Sequence, residues 1–445
     1  MTRKLLLVNP AQYIKPNLVT VMRLPPASLA YLAALTPSDW DVKVIDENIE
    51  PLIFEDADLV GITSCTCNAP RGYEIAREYV RKGTKTVMGG VHASFMSEEA
   101  AQFVDAVVIG EAESIWRGLL ADFERNDLKK SYRGERTNLE TQIRLRPDVC
   151  SRKYRLPSVE TSRGCPSDCE FCSVTSFHGR TYRQKPVEDV LDQLESLKSK
   201  YFFFMDDNIL GFGKQAEERA IRLFQGMIDR GLKKKWGCAV GIDFANNPEV
   251  LKYARKAGCS AVFMGFESIN EESLEGMHKV RNLRLGVKNY EVLIKKLHDH
   301  GIGVMGSFVL GNDGDRKDVF ERTAKFVLDS KIDATLFAIL CPFPGTRLYN
   351  RLMQEGRLLR TNYPHDWKYH DCVEVVFKPK HMSPDELTDG VAQIYSALSS
   401  RLTSFRRAFT SAIQTKNLVG SGIAYLWNRG SGRLWLKKYK DEAAA

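Results

Sequence analysis

Three cysteines are spaced so that they could hold an iron–sulfur cluster. Cys165, Cys169 and Cys172 lie in the segment Thr161–Cys172 of a 445-residue chain, and the other cysteines are scattered. Three thiolates on one short loop can ligate three irons of a [4Fe–4S] cubane. The fourth iron is then left without a protein ligand. The spacing therefore predicts a cluster with one iron open to a small chelating molecule.

Two other roles for these cysteines stay open at the level of sequence. A zinc ion could take them together with His178 as a fourth ligand, or the thiols could simply pack. Neither role explains why the cysteines follow directly after a predicted strand, Ser158–Thr161, because strand ends are where parallel α/β barrels place their reactive groups. The cluster is therefore the favoured interpretation.

The cysteine segment resembles the cluster loop of the radical S-adenosylmethionine (SAM) superfamily. The shared features are the CxxxCxxC spacing, Phe171 directly before the last cysteine, and Gly164 before the first. The resemblance implies an enzyme in which the amino and carboxylate groups of SAM chelate the free iron. An electron from the cluster then breaks the sulfonium C–S bond and releases a 5′-deoxyadenosyl radical.

Later segments resemble the SAM-binding strands of the same superfamily. Asp206 stands in the acidic stretch after the second strand, which meets the SAM amino group in relatives. Glu267 and Ser268 stand in the fourth-strand motif that holds the ribose or the methionine carboxylate, and Val309 lies in the apolar fifth-strand segment beside adenine. Each segment alone also fits a core strand that ends in a polar loop. Their order along the chain favours SAM binding.

The elements that must position these residues form two successive α/β patterns. In residues 1–125, apolar strand-like segments alternate with amphipathic ones, which predicts a doubly wound, Rossmann-like parallel sheet with its ligand at the carboxyl ends of the strands. The predicted strands are Lys4–Val8, Asp41–Asp46, Leu59–Thr63, Thr84–Met88 and Ala106–Ile109, and the predicted helices are Ser28–Leu35 and Arg71–Lys82.

A second series of strand–helix units follows. Residues 126–157 lack apolar periodicity and predict a basic linker, whereas residues 158–345 contain six units and predict a partial (β/α)6 TIM-like barrel. Residues 346–445 are predicted as an α-rich C-terminal region with a basic tail. The predicted barrel strands are Ser158–Thr161, Tyr201–Met205, Trp236–Val240, Ala261–Glu267, Gly303–Leu310 and Ala334–Leu340.

The N-terminal pattern resembles the cobalamin-dependent branch of the superfamily. The matching segments are Arg23–Pro26 with Tyr31–Ala33, Gly61–Thr66, Gly89–His92 and Gly110–Glu113, and Lys378–Pro384 is similar to the C-terminal extension of relatives that modify hopanoids, other lipids or tetrapyrroles. Glycines allow a ligand to approach the backbone closely. The resemblance implies a set of cobalamin contacts: Ser64, Thr66, Gly89, Gly90, His92 and Glu111.

Departures from the classical cobalamin pattern leave alternatives. The chain lacks Asp-x-His-x-x-Gly, so no histidine is set to ligate cobalt from below, and His92 is either a contact of the nucleotide tail or a loop histidine. A flavodoxin-like domain that binds no cofactor also remains open. Cys65 and Cys67 are predicted as small buried side chains, with a soft-metal pair as the alternative.

The net charge of +8 is concentrated in the tail. Residues 401–440 contain nine Lys and Arg and no Asp or Glu, so residues 1–400 are nearly neutral. Cations mixed with apolar, Tyr and Trp side chains suit an anionic membrane surface, RNA, or a helical appendage packed on the barrel. Nucleic acid is disfavoured because the body carries no excess of positive charge. Without a signal peptide or a long apolar run, we expect a cytoplasmic protein, with peripheral membrane contact as an option.

The predicted function is cobalamin-dependent methylation of an unactivated carbon in a small-molecule or lipid-like substrate. The cofactors would be a [4Fe–4S] cluster, SAM and cobalamin, and the reductant a flavodoxin or ferredoxin. In this scheme the 5′-deoxyadenosyl radical abstracts hydrogen from the substrate, methylcobalamin hands over its methyl group, and a second SAM remethylates cobalamin. The alternatives are oxidative cyclisation, C–C coupling, aminocarboxypropyl transfer, or a non-catalytic cobalamin or iron–sulfur sensor.

Overall fold

The computed structural model describes residues 2–12, 24–140, 143, 153–154 and 156–443, with side chains described as far as residue 436. Arg23 and much of the predicted linker lie outside the described residues, as do the side chains of Lys437, Lys438 and Lys440.

The N-terminal part is built on a six-stranded parallel sheet. Its strands are β1 (Arg3–Asn9), β2 (Trp40–Asp46), β3 (Leu59–Thr63), β4 (Lys85–Gly89), β5 (Ala106–Gly110) and β6 (Ser131–Gly134), in the order β2-β1-β3-β4-β5-β6. Its helices are α1 (Ala27–Leu35), α2 (Ala69–Arg81), α3 (Val91–Phe95), α4 (Ser97–Ala100) and α5 (Trp116–Glu124). The predicted doubly wound sheet is confirmed. Its strand order reverses between β1 and β3, and such switch points are where open α/β sheets bind ligands.

Helices cover both faces of this sheet. Leu5 and Leu7 of β1 pack in one apolar cluster with Trp116, whereas Leu6 belongs to the cluster on the opposite face with Tyr73. Because both faces are buried, the inner strands β1, β3 and β5 contain continuous apolar runs, whereas the edge strand β2 alternates. This is why the sequence pattern located them.

The edge strand β6 lies inside the stretch predicted as a linker. Tyr132 is buried there, and its hydroxyl donates to Asp122 Oδ2 at 3.0 Å. The linker prediction does not hold for this strand. The residues beside Tyr132 are polar and gave no strand pattern, but the one buried aromatic side chain anchors the strand at the edge of the sheet.

The second sheet also has six parallel strands. They are β7 (Ser158–Val159), β10 (Tyr201–Phe204), β11 (Lys235–Val240), β12 (Cys259–Glu267), β13 (Gly303–Leu310) and β14 (Ala334–Ile339), in the order β14-β13-β12-β11-β10-β7. Two short strands, β8 (Ser162–Arg163) and β9 (Arg183–Gln184), pair antiparallel beside it. The intervening helices are α6 (Ser173–His178), α7 (Val187–Ser196), α8 (Lys214–Asp229), α9 (Pro248–Lys256), α10 (Glu271–Gly276), α11 (Val280–Leu285), α12 (Tyr290–Asp299) and α13 (Val319–Asp329). The predicted partial barrel of six strands is confirmed.

The C-terminal region is helical, as predicted. It contains α14 (Arg347–Gln354), α15 (Pro384–Leu398), α16 (Arg401–Thr415) and α17 (Leu418–Ala443). Helix α15 begins at a capping box, in which Ser383 Oγ accepts from the Glu386 amide at 3.1 Å and Glu386 Oε2 accepts from the Ser383 amide at 2.9 Å. Among the described residues, no helix is both long and apolar enough to cross a bilayer.

Candidate active site

The three motif cysteines lie on a loop that a small ladder closes. The loop leaves β8 and returns through β9, so its ends are paired at the carboxyl side of β7. Gly164 begins the loop with φ +89°, and a Cβ there would lie 2.4 Å from the Thr181 carbonyl oxygen. Only glycine fits this crossing without strain, which explains the residue in front of the first cysteine.

The thiols of this loop are free, partly exposed and close to one another. Burial raises the pKa of Cys172 to about 12, and the neighbouring thiols of Cys169 and Cys165 contribute to that rise. Burial also raises the pKa of Cys169, against an opposing effect of Lys279. A group of thiols that repel one another as thiolates suits a positively charged ligand. The donor set therefore fits the predicted cluster.

The zinc alternative finds no support in the geometry. Among the described residues, no three His, Cys, Asp or Glu side chains converge as ligands of a single ion. His178, its expected fourth ligand, contacts Glu111 Oε1 through Nδ1 at 2.9 Å. A cubane is bound at three separate irons, so its thiolates need not converge in this way.

An ion pair between Lys279 and Glu267 lies beside the cysteines. Lys279 Nζ is 3.0 Å from Glu267 Oε1, and both side chains are largely buried. Burial alone would lower the pKa of Lys279, but Glu267 and Cys169 raise it above its usual value. Lys279 was not predicted, since no local motif marks it. Its positive charge can stabilise the cysteine thiolates or a carboxylate that binds beside them.

The two aspartates after β10 have different surroundings. Asp206 is buried beneath the cluster loop, where Oδ1 accepts from the amides of Thr161 and Ser162, each at 2.7 Å. Burial raises the pKa of Asp206 to about 6, against these hydrogen bonds. Asp207 is exposed, and its Oδ2 accepts from the Gly164 amide at 3.2 Å. The contact of Asp206 with SAM stays a prediction, and Asp207 is the more accessible of the two.

The remaining predicted SAM contacts lie near these strand ends. Ser268 is buried, and its Oγ accepts from the Asn270 amide at 3.0 Å. Val309 is buried on β13, and Phe171 is partly buried against the barrel core. Their roles toward SAM stay predictions.

Buried ion pairs join the carboxyl ends of the two sheets. Arg163, on β8, contacts Glu111 at 3.1 Å and Glu113 at 2.6 Å, both directly after β5. It also contacts Glu160 at 2.8 Å, and its guanidinium lies over the Tyr31 ring. The loop that carries the cysteines is therefore fixed against the predicted cobalamin domain.

Glu111 serves this junction, and its predicted contact with cobalamin stays a prediction. Its carboxylate accepts from Arg183 and from the Thr137 amide at 2.8 Å, besides its contacts with Arg163 and His178. Burial alone would raise its pKa, but these partners hold the pKa of Glu111 far below its usual value. With both oxygens engaged, this glutamate positions the two domains.

The loops after β3 and β4 pack on each other at the switch-point side of the first sheet. The amide and Oγ of Ser64 donate to the Gly89 carbonyl, at 2.9 and 3.3 Å, and the His92 amide donates to the Ser64 carbonyl at 3.1 Å. Thr66 is buried in the same loop. The backbone of these loops is thus fixed, which is what a preformed cradle for a cofactor requires.

His92 lies under the loops and not on an open surface. Its ring is fully buried, 5.2 Å from the Trp367 ring, and its Nε2 is 3.3 Å from Glu99 Oε1. Trp367 Nε1 also donates to Glu99, at 3.0 Å. Of the two roles left open for His92, the loop role describes these contacts, and a contact with the nucleotide tail stays a prediction.

Three side chains that follow strands of the two sheets are exposed. Cys65, Met205 and Asp207 are exposed, yet burial raises the pKa of both Cys65 and Asp207. The prediction that Cys65 is buried is therefore wrong, while Cys67 is partly buried.

We expect Gly90→Val to lower the retention of cobalamin. Gly90 has φ +98°, and a Cβ there would lie 2.6 Å from the Ser64 carbonyl oxygen. The clash is with the loop itself, not with a ligand as the sequence suggested, and it should cost about 1–3 kcal/mol of backbone strain. The measurement is cobalamin bound per protein, from visible absorption.

The matched control is Gly83→Val. Gly83 also has a positive φ, +78°, but a Cβ at this position would meet no other atom within 4 Å. The control should lose some stability and keep cobalamin. Equal retention by both variants would show that the Ser64–Gly90 packing does not form the cradle.

Two family models match the chain in the same order as its two sheets. Residues 17–120 match the B12 binding domain, and residues 159–327 match the radical SAM superfamily. The chain belongs to the cobalamin-dependent radical SAM superfamily. It is accordingly an enzyme whose cofactors are a [4Fe–4S] cluster, SAM and cobalamin.

Similar proteins within this superfamily include methyltransferases. The chain is 29% identical over 420 residues to bacteriochlorophyllide d C-12(1)-methyltransferase of Chlorobaculum tepidum, covering 90% of this chain and 86% of the relative. It is 27% identical over 388 residues to hopanoid C-2 methylase of Rhodopseudomonas palustris, covering 80% and 72%. The structure of the radical SAM methyltransferase TsrM from Kitasatospora setae, with cobalamin and a [4Fe–4S] cluster bound, aligns with a TM-score of 0.70 at 17% identity. That alignment covers 99% of this chain and 100% of TsrM, and it shows a shared fold.

Proposed function

We propose that this radical SAM enzyme methylates an unactivated carbon of a small-molecule or lipid-like substrate bound between its two sheets. When bound, SAM and the cluster supply a radical that removes a hydrogen atom, and cobalamin supplies the methyl group. The observation that carries the proposal is the buried junction of Arg163 with Glu111 and Glu113. It holds the cysteine loop against the B12 binding domain, and a reaction that uses both cofactors requires this proximity.

The residues that follow the strand ends have separate tasks in this proposal. Cys165, Cys169 and Cys172 hold the cluster. Lys279 offers a cation beside them, and Asp207 offers a carboxylate that can accept from the SAM amino group. The exposed side chains of Cys65 and Met205 carry no charge, which suits an apolar substrate.

Two partners belong to the proposal. The cluster needs an external electron, and a flavodoxin or ferredoxin is the reductant of suitable chemistry. A lipid-like substrate would reach the enzyme from a membrane, and we propose peripheral membrane contact through the C-terminal helices. Their exposed apolar side chains support this contact.

We expect methylation to consume SAM in two ways at equal rates. Each turnover cleaves one SAM to 5′-deoxyadenosine and demethylates another to S-adenosylhomocysteine. Reduced, cobalamin-loaded enzyme should be supplied with an apolar cell extract and with SAM carrying a deuterated methyl group. Mass spectrometry should find the deuterated methyl in an apolar product, together with equal amounts of the two nucleosides.

Other product patterns would contradict methylation and identify a rival reaction. Substrate-dependent 5′-deoxyadenosine without S-adenosylhomocysteine would indicate oxidative cyclisation or C–C coupling. Methylthioadenosine would indicate aminocarboxypropyl transfer. A reduced protein that cleaves no SAM would be a sensor.

A further inference from the structure

The outward surface of the last two helices is apolar. The exposed side chains are Leu402, Phe405, Phe409 and Ile413 on α16, and Leu418, Val419, Ile423, Leu426 and Leu434 on α17. They make up nine of the eighteen exposed large apolar side chains of the described residues. Such a concentration on one short stretch indicates an interaction surface, because scattered single residues are the ordinary pattern.

Helix α16 has the opposite arrangement from an ordinary surface helix. Its exposed residues follow one stripe with spacings of three and four, while Ser404, Arg407, Ser411 and Thr415 follow the opposite stripe and are buried. Arg407 Nη2 donates to the Ile332 carbonyl at 3.1 Å. The polar side of the helix therefore faces the protein, and the apolar side faces outward.

Helix α17 fixes this orientation. Trp427 Nε1 donates to the Thr335 carbonyl at 2.9 Å, and Asn428 Nδ2 donates to the Asp333 carbonyl at 2.8 Å. The Trp435 ring stacks on Tyr395 with centroids 5.5 Å apart. Because Trp427 and Asn428 are hydrogen-bonded to the barrel, the two helices cannot rotate to bury the apolar stripe.

The charged side chains of α16 and α17 as far as residue 440 are all positive, and Asp441 and Glu442 follow only at the end of α17. Arg401, Arg406, Lys416 and Arg433 are exposed, and residues 401–440 include no Asp or Glu. A second copy of the chain would bring like charges together, so self-association is disfavoured. Negative charge spread beside an apolar layer, as in an anionic lipid surface, complements both properties.

We propose that α16 and α17 dock on an anionic membrane surface by inserting this apolar stripe among the lipids. The cations Arg401 and Arg406 then contact the headgroups. The inference deepens the membrane contact of the proposed function. It adds that insertion of Phe405 and Phe409 provides affinity that salt does not remove, whereas the cations provide the preference for anionic lipid.

The test uses the full chain, because α16 and α17 pack on the barrel and truncation after Ser400 would remove Trp435 and Asn428 from that packing. The apolar variant is Phe405→Ser/Phe409→Ser, with Val292→Ser, an exposed apolar residue on α12, as its control. The charge variant is Arg401→Gln/Arg406→Gln, with the exposed Lys233→Gln as its control. Binding is measured by co-sedimentation with vesicles of phosphatidylcholine, alone or mixed with phosphatidylglycerol.

We expect binding to the mixed vesicles and much weaker binding to phosphatidylcholine alone. The apolar variant should bind at least about tenfold more weakly at any salt concentration, since two aromatic side chains that would insert among the lipids are lost. Each neutralised cation should weaken binding about fivefold at low salt and less at high salt. The two controls should bind like the unchanged protein, and SAM cleavage should survive in all variants.

Equal binding to both kinds of vesicle, or to neither, would overturn the proposal. So would a dimer that the Phe405→Ser/Phe409→Ser change dissolves, because a second copy would then cover the stripe, or salt-sensitive RNA binding in place of lipid binding. Vesicle binding is read without turnover, so its failure leaves the methylation proposal untouched. A failed methylation test would likewise leave vesicle binding as measured.

Discussion

We expect the Cys169→Ala protein to hold no [4Fe–4S] cluster and to cleave no SAM. Cys169 is the middle thiol of the loop, between Cys165 and Cys172. Without it, one iron loses its only protein ligand, and two thiolates do not retain a cubane that must also keep one iron free. The measurements are iron content and visible absorption after anaerobic reconstitution, and 5′-deoxyadenosine formed on reduction.

The control is Cys259→Ala. Cys259 is also a free cysteine, but it is buried at the amino end of β12. The cysteine loop lies at the other side of the sheet, where the strands have their carboxyl ends. Its loss should leave both cluster and cleavage in place. A Cys169→Ala protein that kept its cluster would show that the three cysteines are not the ligands.

The cluster loop could be predicted because its chemistry is local in sequence. Three thiols and the glycine before them lie within one short segment, and their spacing alone restricts the ligand. Lys279 could not be predicted in this way, since only the return of the chain after β12 brings it beside Cys169 and Cys172. Site residues that the fold brings together from distant segments form no local motif, so the sequence alone does not reveal them.

The strands, too, could be predicted only where their own residues carry an apolar signal. Long strands such as β13, at Gly303–Leu310, are buried runs of apolar residues, and the bounds of β13 were predicted without error. The two-residue strands β8 and β9 contain Ser162, Arg163, Arg183 and Gln184, whose polarity gives no strand signal. Their pairing closes the cysteine loop and was missed.

The ion pairs of Glu111 were missed for a related reason. A glutamate after Gly110 at a strand end resembles a cofactor contact, and sequence does not show what faces it. The structure brings Arg163 and Arg183 to it from the second domain. Likewise, the nine cations of the tail could be counted from the sequence, but the direction of the apolar stripe depends on which side of α16 packs.

We expect Arg163→Met to loosen the junction between the domains and to uncouple SAM cleavage from methylation. Arg163 is largely buried among Glu111, Glu113 and Glu160. Its loss removes the cation that pairs with Glu113, and it leaves Glu111 with Arg183 and Glu160 with Lys185. Removing one partner of a buried ion pair costs about 3–5 kcal/mol. The urea midpoint of unfolding should fall, and 5′-deoxyadenosine formed per methylated product should rise.

The size of this effect should depend on which partner is removed and where the pair lies. Glu113→Gln should cost much less, because Arg163 keeps Glu111 and Glu160 and the amide can still accept a hydrogen bond. Arg347→Met breaks a pair with Asp168 on the same loop, but that pair is exposed and is worth about 0–1 kcal/mol. If all three variants kept the same ratio of 5′-deoxyadenosine to product, the junction would be structural only. If only Arg163→Met raised this ratio, the result would show that the buried Arg163 aligns the radical with the methyl donor by holding the two domains together.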